Sequence, residues 1–269
     1  MLLKNLLIVN NYHVPRKLVL MGSGENSPAM VTPHQNILKS HGKDSKRFNL
    51  DTPYGFQENV EELTEKIQKY FEVNVGFPIK NLELRNSKAN NEESLQEIDS
   101  ADWIFAGPGS PTYALKVWRE TGTDLKLKEL LNRGTVVMAS AAAMSLGAKA
   151  MPVYEMYKVG EDPHWLEGLN LLEAATGLKA AVIAHYNNNQ GGTHDTRFCF
   201  VGAKRLVVLE ELLESETAIL GLDEHTGVAF DLDTQSYEVF GKGSMTLRRK
   251  GVDKVFASKS SGQTKDLLS

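Results

Sequence analysis

The chain has 269 residues, a formal net charge of −4 and an apolar content of 41%. That is enough to bury a large core unaided, and it excludes a strongly basic nucleic-acid binder. A single cysteine, Cys199, excludes an internal disulfide framework and a cysteine-based zinc cage. No stretch approaches the ~18 apolar residues of a membrane span. The opening residues lack the long apolar region and cleavage site of a secretory signal. The expectation is one α/β domain in the cytoplasm, with no membrane or nucleic-acid partner.

In chain order, residues 1–16 read as an N-terminal extension, and residues 17–215 as a parallel-sheet core. "KLVLMG" (17–22) reads as a strand ending in Gly-Ser-Gly. "NVEELTEKIQKYF" (59–71) carries apolar residues at helical spacing. "FPIKNLELR" (77–85) and "DWIFAG" (102–107) read as strands, and "TYALKVWRETG" (112–122) as a helix stopped by glycine. "GTVVMAS" (134–140) and "AAVIAHY" (180–186) are apolar, β-branched and too short for helices. "THDTRFCFVGAKRLVVLEELLES" reads as one long helix. Short strands with turn residues between them predict an antiparallel extension over 216–250, and the polar tail 256–269 is expected to fray. Alternating strands and helices give a parallel sheet with helices on both faces, and ligands then bind at the carboxyl ends of its strands.

Ser140 stands at such an end, where "VVMAS" gives way to "AAAMSLG". A serine on a sharp strand-to-helix turn presents its hydroxyl, and the helix start offers N–H groups to a developing oxyanion. The usual flanking glycines are Met138 and Ala142 here, so a plain helix cap is the competing reading. Among seven histidines only His185 follows a strongly apolar strand, which makes it the candidate base. Three acids between the two, Glu155, Glu161 and Asp162, are open candidates for orienting the imidazole. Gly107 and Gly109 in "FAGPGSPTYAL" allow a backbone N–H to approach a substrate, beside that of Ala141.

The ordered set of stretches resembles the dipeptidase E and cyanophycinase family of serine peptidases. "IFAGPGSPTYAL" is similar to its strand and Gly-Gly-Asn loop, "ASAAAMSLGA" to its Ser-Ala-Gly-Ala elbow, and "EGLNLL" followed by "AHYNNN" to its histidine segment. "GGTHDTR", "ILGLDEHTGVAFD" and "MGSGENSP" also match in order. The resemblance implies a class I glutamine amidotransferase-like, flavodoxin-like fold. It implies Ser140 as nucleophile, His185 as base, Glu155 as acid, and Gly109 and Ala141 as oxyanion donors. It further implies a short, aspartyl-containing peptide as substrate. No cofactor or metal is expected, and a homodimer is a candidate assembly. Arg197 is the candidate grip on a substrate carboxylate, with Asn187 and Asn188 as further substrate contacts.

Ala142 and Pro108 depart from the family pattern and motivate a rival, a catalytically impaired binding protein on the same scaffold. A glutamine amidotransferase would need cysteine at the elbow. Nucleotide binding by "GSGENS" or "GPGSPT" lacks a complete phosphate loop. A metal held by His185, His194 and Asp195 lacks ligand spacing. An α/β-hydrolase leaves too little chain between Ser140 and His185 for its later strands.

Overall fold

Alternate side chains of β1 (Lys17–Met21) enter two different cores. Leu18 and Leu20 join one apolar cluster, whereas Val19 and Met21 join another. This is the period-two alternation of a strand covered on both faces. The neighbouring β5 (Thr135–Ala139) is buried along its whole length and alternates in the same way, with Val136 and Met138 on the first side and Val137 and Ala139 on the second. The computed structural model describes residues 14–268, so most of the N-terminal extension lies outside the described residues.

The remaining strands are β2 (Arg47–Leu50), β3 (Lys80–Leu82), β4 (Trp103–Ala106), β6 (Lys149–Ala150), β7 (Leu166–Glu167) and β8 (Ala180–Ile183). They are followed by β9 (Ala218–Leu222), β10 (Thr226–Asp231), β11 (Ser236–Gly241), β12 (Ser244–Arg249), β13 (Val252–Ala257) and β14 (Ser261–Gln263). The central sheet has eight strands in the order β14-β11-β10-β1-β5-β4-β2-β3. The run from β1 to β3 is parallel, and β10, β11 and β14 continue it antiparallel. Helices α1 (Val31–Leu38) and α2 (Val60–Lys69) cover one face. The other face carries α3 (Glu92–Ser100), α4 (Pro111–Thr121), α5 (Thr123–Leu130), α6 (Ala141–Ser145) and α7 (Leu171–Thr176). The chain is thus a mixed α/β protein with a mostly parallel central sheet and a C-terminal antiparallel region.

Three local expectations change. The strand carrying His185, expected in the central sheet, lies instead in a second sheet of order β13-β12-β9-β8. The reason is that β10 pairs with β1 from Lys17 to Met21 and takes the edge β8 would need. The long helix after residue 190 shrinks to α8 (Gly202–Glu211). Phe198, Cys199 and Phe200 all have positive φ, a left-handed run that no α-helix accommodates. The tail expected to fray is built in: β14 pairs with β11, and Leu267 is fully buried.

Candidate active site

The turn at Ser140 answers the question its sequence context raises. Ser140 has φ 51° and ψ −119°, a conformation an L-residue rarely adopts. Its N–H donates to the Met21 carbonyl at 2.9 Å, and its carbonyl accepts from Met144 at 3.0 Å, so the strained turn is tied to β1 behind and to α6 ahead. Ala142 takes the place of the small elbow residue; it is fully buried and its N–H donates to the Gly107 carbonyl at 3.3 Å. The elbow therefore forms around alanine.

His185 also has positive φ, 48°. Its N–H donates to the Gly22 carbonyl at 3.4 Å, which fastens the end of the second sheet to the loop after β1. The imidazole Nε2 accepts from the Ser140 hydroxyl at 3.2 Å. Its Nδ1 faces Glu224 Oε1 at 2.9 Å, and with that N–H directed to the carboxylate the Nε2 lone pair is left for the serine.

Glu224 is the acid on the imidazole. It lies in the turn by which the chain leaves β9 in the second sheet and enters β10 in the central one. The Asn188 amide donates to the same Oε1 at 3.0 Å, and the Asn187 side-chain oxygen accepts from the Glu224 N–H at 2.8 Å. Burial alone would push this carboxyl up. The hydrogen bonds from His185 and Asn188 outweigh it and hold the group below the usual glutamate range.

The expected acid is corrected accordingly. Glu155 lines a neighbouring groove of about 470 Å³ with Phe56, Tyr113 and Tyr154, and its Oε2 is buried without a hydrogen-bond partner. Glu161 and Asp162 are exposed, and Glu161 faces His164 at 3.8 Å. Asn187 and Asn188, expected on substrate, are spent on Glu224 instead; Asn188 is fully buried. Arg197 is gripped by Asp195 at 2.8 and 2.9 Å, a fork-to-carboxylate pairing that occupies the guanidinium. A sequence signal for Glu224 existed in "GLDEHTG", an acid pair just past a fully buried strand. A search confined to the acids between Ser140 and His185 does not reach it, and the resemblance points to Glu155.

Gly109 and Ala141 line one cleft of about 230 Å³ together with Ser140 and His185. Gly109 has φ 141°, and a Cβ there would come within 1.9 Å of the Pro53 carbonyl oxygen. Ser110 fixes the loop by donating its N–H to that same carbonyl at 2.8 Å and by capping α4 through Oγ. Pro108 faces a separate groove bounded by Tyr54 and Tyr70. Lys158 is the cation in the cleft wall. Cys199 also lines the cleft, but burial pushes its thiol up to about 12, so it carries no thiolate at neutral pH. Among the described residues no group of three or more His, Cys, Asp or Glu is placed to hold a metal ion, and no helix is long and apolar enough to cross a membrane.

Two solved structures share this fold. A peptidase from an acI-B1 Actinobacterium superposes with a TM-score of 0.72 at 20% identity, covering 93% of this chain and 98% of that one. A putative peptidase E protein from Listeria monocytogenes EGD-e gives a TM-score of 0.53 at 15% identity, covering 91% and 99%. No curated protein matches the sequence. The model of peptidase family S51 matches residues 18–236, a span that takes in the whole cleft and ends where β11 begins, and the chain belongs to that family, the family of dipeptidase E.

Proposed function

We propose that this peptidase is of the serine type and works through Ser140, His185 and Glu224. The observation that carries the reading is the continuous hydrogen-bonded relay Ser140 Oγ–His185–Glu224, at 3.2 and 2.9 Å, opening on a cleft that also contains Gly109 and Ala141. His185 takes the serine proton as Oγ attacks an amide carbonyl. Glu224 stabilises the imidazolium, and the Gly109 and Ala141 N–H groups receive the oxyanion. The imidazolium then protonates the leaving amine, and water, activated by the same imidazole, hydrolyses the acyl-enzyme.

The cleft suits a short peptide rather than a folded chain. Its cation, Lys158, is the side chain best placed to meet an acidic residue, in the role first expected of Arg197. The preferred substrate is therefore an aspartyl-containing dipeptide. Hydrolysis of aspartyl dipeptides against alanyl and lysyl counterparts tests this: the aspartyl series is expected to be faster by about tenfold or more, the scale of one specific ion pair. Equal rates across the three series would remove the acidic specificity. The rival, a binding protein that does not turn over, rested on Ala142 and Pro108. The formed elbow and the outward placement of Pro108 weigh against it. A protein that binds these dipeptides yet hydrolyses none would restore it.

A further inference from the structure

The chain beyond His185 runs left-handed for three residues in a row, Phe198, Cys199 and Phe200, at φ 59°, 56° and 70°. Backbone of this kind persists only where its surroundings fix it, and such strain clusters at functional sites. Here the run is tied to the base itself and to its neighbour. The Cys199 N–H donates to the His185 carbonyl at 3.2 Å, and the Phe198 N–H to the Tyr186 carbonyl at 3.0 Å. The Phe200 N–H closes back on the Thr196 carbonyl at 2.9 Å, and that of Gly202 on the Arg197 carbonyl at 3.0 Å. The two phenylalanines then diverge. Phe198 packs edge-on against Tyr186, with ring centroids 4.6 Å apart. Phe200 is half-buried and lines the cleft. Its ring centroid lies 6.1 Å from that of the His185 imidazole and 5.3 Å from that of Tyr157, which lines the same cleft.

Which part of a peptide meets this wall follows from the chemistry of the relay. The imidazole that takes the serine proton later gives it to the leaving amine. That nitrogen must come within hydrogen-bond reach of His185, so the residue it belongs to lies beside the imidazole. There the cleft presents the rings of Phe200 and Tyr157, and Met144 and Val153 add further apolar lining. We propose that Phe200 is a specificity-determining residue: with Tyr157 it receives the side chain of the leaving residue and selects an aromatic or large aliphatic one. An apolar side chain laid on these rings is removed from water, and a ring gains an edge-to-face contact besides. A glycine or alanine gains little of either, and a charged side chain loses hydration there. The left-handed run is what presents the ring, and its bonds to His185 and Tyr186 hold the wall and the base in one fixed relation. Joined to the acidic preference of the acyl residue, the substrate class becomes an aspartyl dipeptide with an apolar second residue.

The inference rests on the serine-type reading, and one experiment keeps the two apart. Hydrolysis of Asp-Phe, Asp-Leu and Asp-Ala is measured as kcat/KM in wild type and Phe200→Ala. The rate of Ser140 labelling by a fluorophosphonate is followed in both and in His185→Ala. Wild type is expected to prefer Asp-Phe and Asp-Leu over Asp-Ala by about tenfold. Phe200→Ala is expected to bring the three within about threefold of one another, by slowing the two apolar substrates more than Asp-Ala. A phenylalanine that only packs the fold would slow all three peptides alike and leave their ratios in place. A preference that survives Phe200→Ala, or a wild type without one, overturns the proposal, while labelling that depends on His185 leaves the relay standing. Labelling that His185→Ala does not abolish removes the relay, and the proposal with it. Should wild type label at Ser140 yet cleave none of the three, the dipeptide concentrations that halve the labelling rate supply the ratios. Protection by none, or equal protection by all three, then overturns the proposal. Should Phe200→Ala not fold, Tyr157→Ala removes the other half of the wall, and the preference must fall there; an unmoved ratio overturns the proposal.

Discussion

Asn188 donates its amide to the very oxygen of Glu224 that faces His185 Nδ1, at 3.0 and 2.9 Å respectively. The imidazole is therefore oriented by a carboxylate that is itself oriented, and the orienting amide is fully buried. Supporting partners of this kind fix a catalytic group to well within an ångström.

Truncating Asn188 leaves Glu224 less fixed and less favoured as an anion. Asn188→Ala is expected to lower kcat/KM for a short aspartyl peptide about tenfold, with most of the change in kcat. Steady-state kinetics read this directly. A rise in KM alone would return Asn188 to the substrate.

Exchanging the two candidate acids separates their roles. Glu224→Gln is expected to cost about 10²–10⁴ in kcat, as loss of an imidazole's carboxylate does elsewhere. Glu155→Gln is expected to leave the rate of Ser140 labelling within about threefold, since Glu155 is placed in the neighbouring groove. A large fall in labelling with Glu155→Gln would reinstate it beside His185.

Much of this site was legible before any coordinates, for a physical reason. The proposed nucleophile and base, Ser140 and His185, announce themselves through apolar runs that stop at one polar residue. The orienting acid has no such signature, because it only has to arrive in space. Glu224 arrives through a crossing between two sheets, and local periodicity does not encode a crossing. The asparagines of "YNNNQ" look like loop residues for the same reason: their partner is 36 or 37 positions away. The folded C-terminal tail was hidden by its polarity, since β13 and β14 are largely exposed and their pairing rests on backbone bonds rather than on an apolar pattern. The left-handed run at Phe198–Phe200 defeats propensity outright, for nothing in three ordinary residues foretells three positive φ angles.

Gly109 is placed where no side chain fits. Gly109→Ala combines a φ of 141° with a Cβ driven into the Pro53 carbonyl. It is expected to displace the loop proposed to receive the oxyanion and cost about 10²–10³ in kcat. Thermal unfolding should show a lower midpoint in the same variant. Unchanged activity would place the oxyanion elsewhere.

His34 supplies a pH test of the loop after β1, where it donates Nε2–H to the Glu25 carbonyl at 2.9 Å. Burial lowers its imidazole to about 4 from an ordinary 6.5. Between those values the unfolded chain binds a proton that the folded chain refuses, so stability falls as pH drops from 6.5 towards 4, by about 3 kcal/mol if His34 acted alone. Urea unfolding at pH 7 and pH 4.5 measures the slope. His34→Gln keeps a donor for the Glu25 carbonyl but does not titrate, and is expected to flatten the slope; an equal slope would show that His34 does not carry it.

The most direct test of the central claim is mass-spectrometric mapping of a fluorophosphonate adduct at neutral pH. The account predicts a single adduct on the peptide containing Ser140, absent in His185→Ala, strongly reduced in Glu224→Gln and retained in Cys199→Ala. An adduct that survives His185→Ala, or a folded wild type that acquires none, would contradict it.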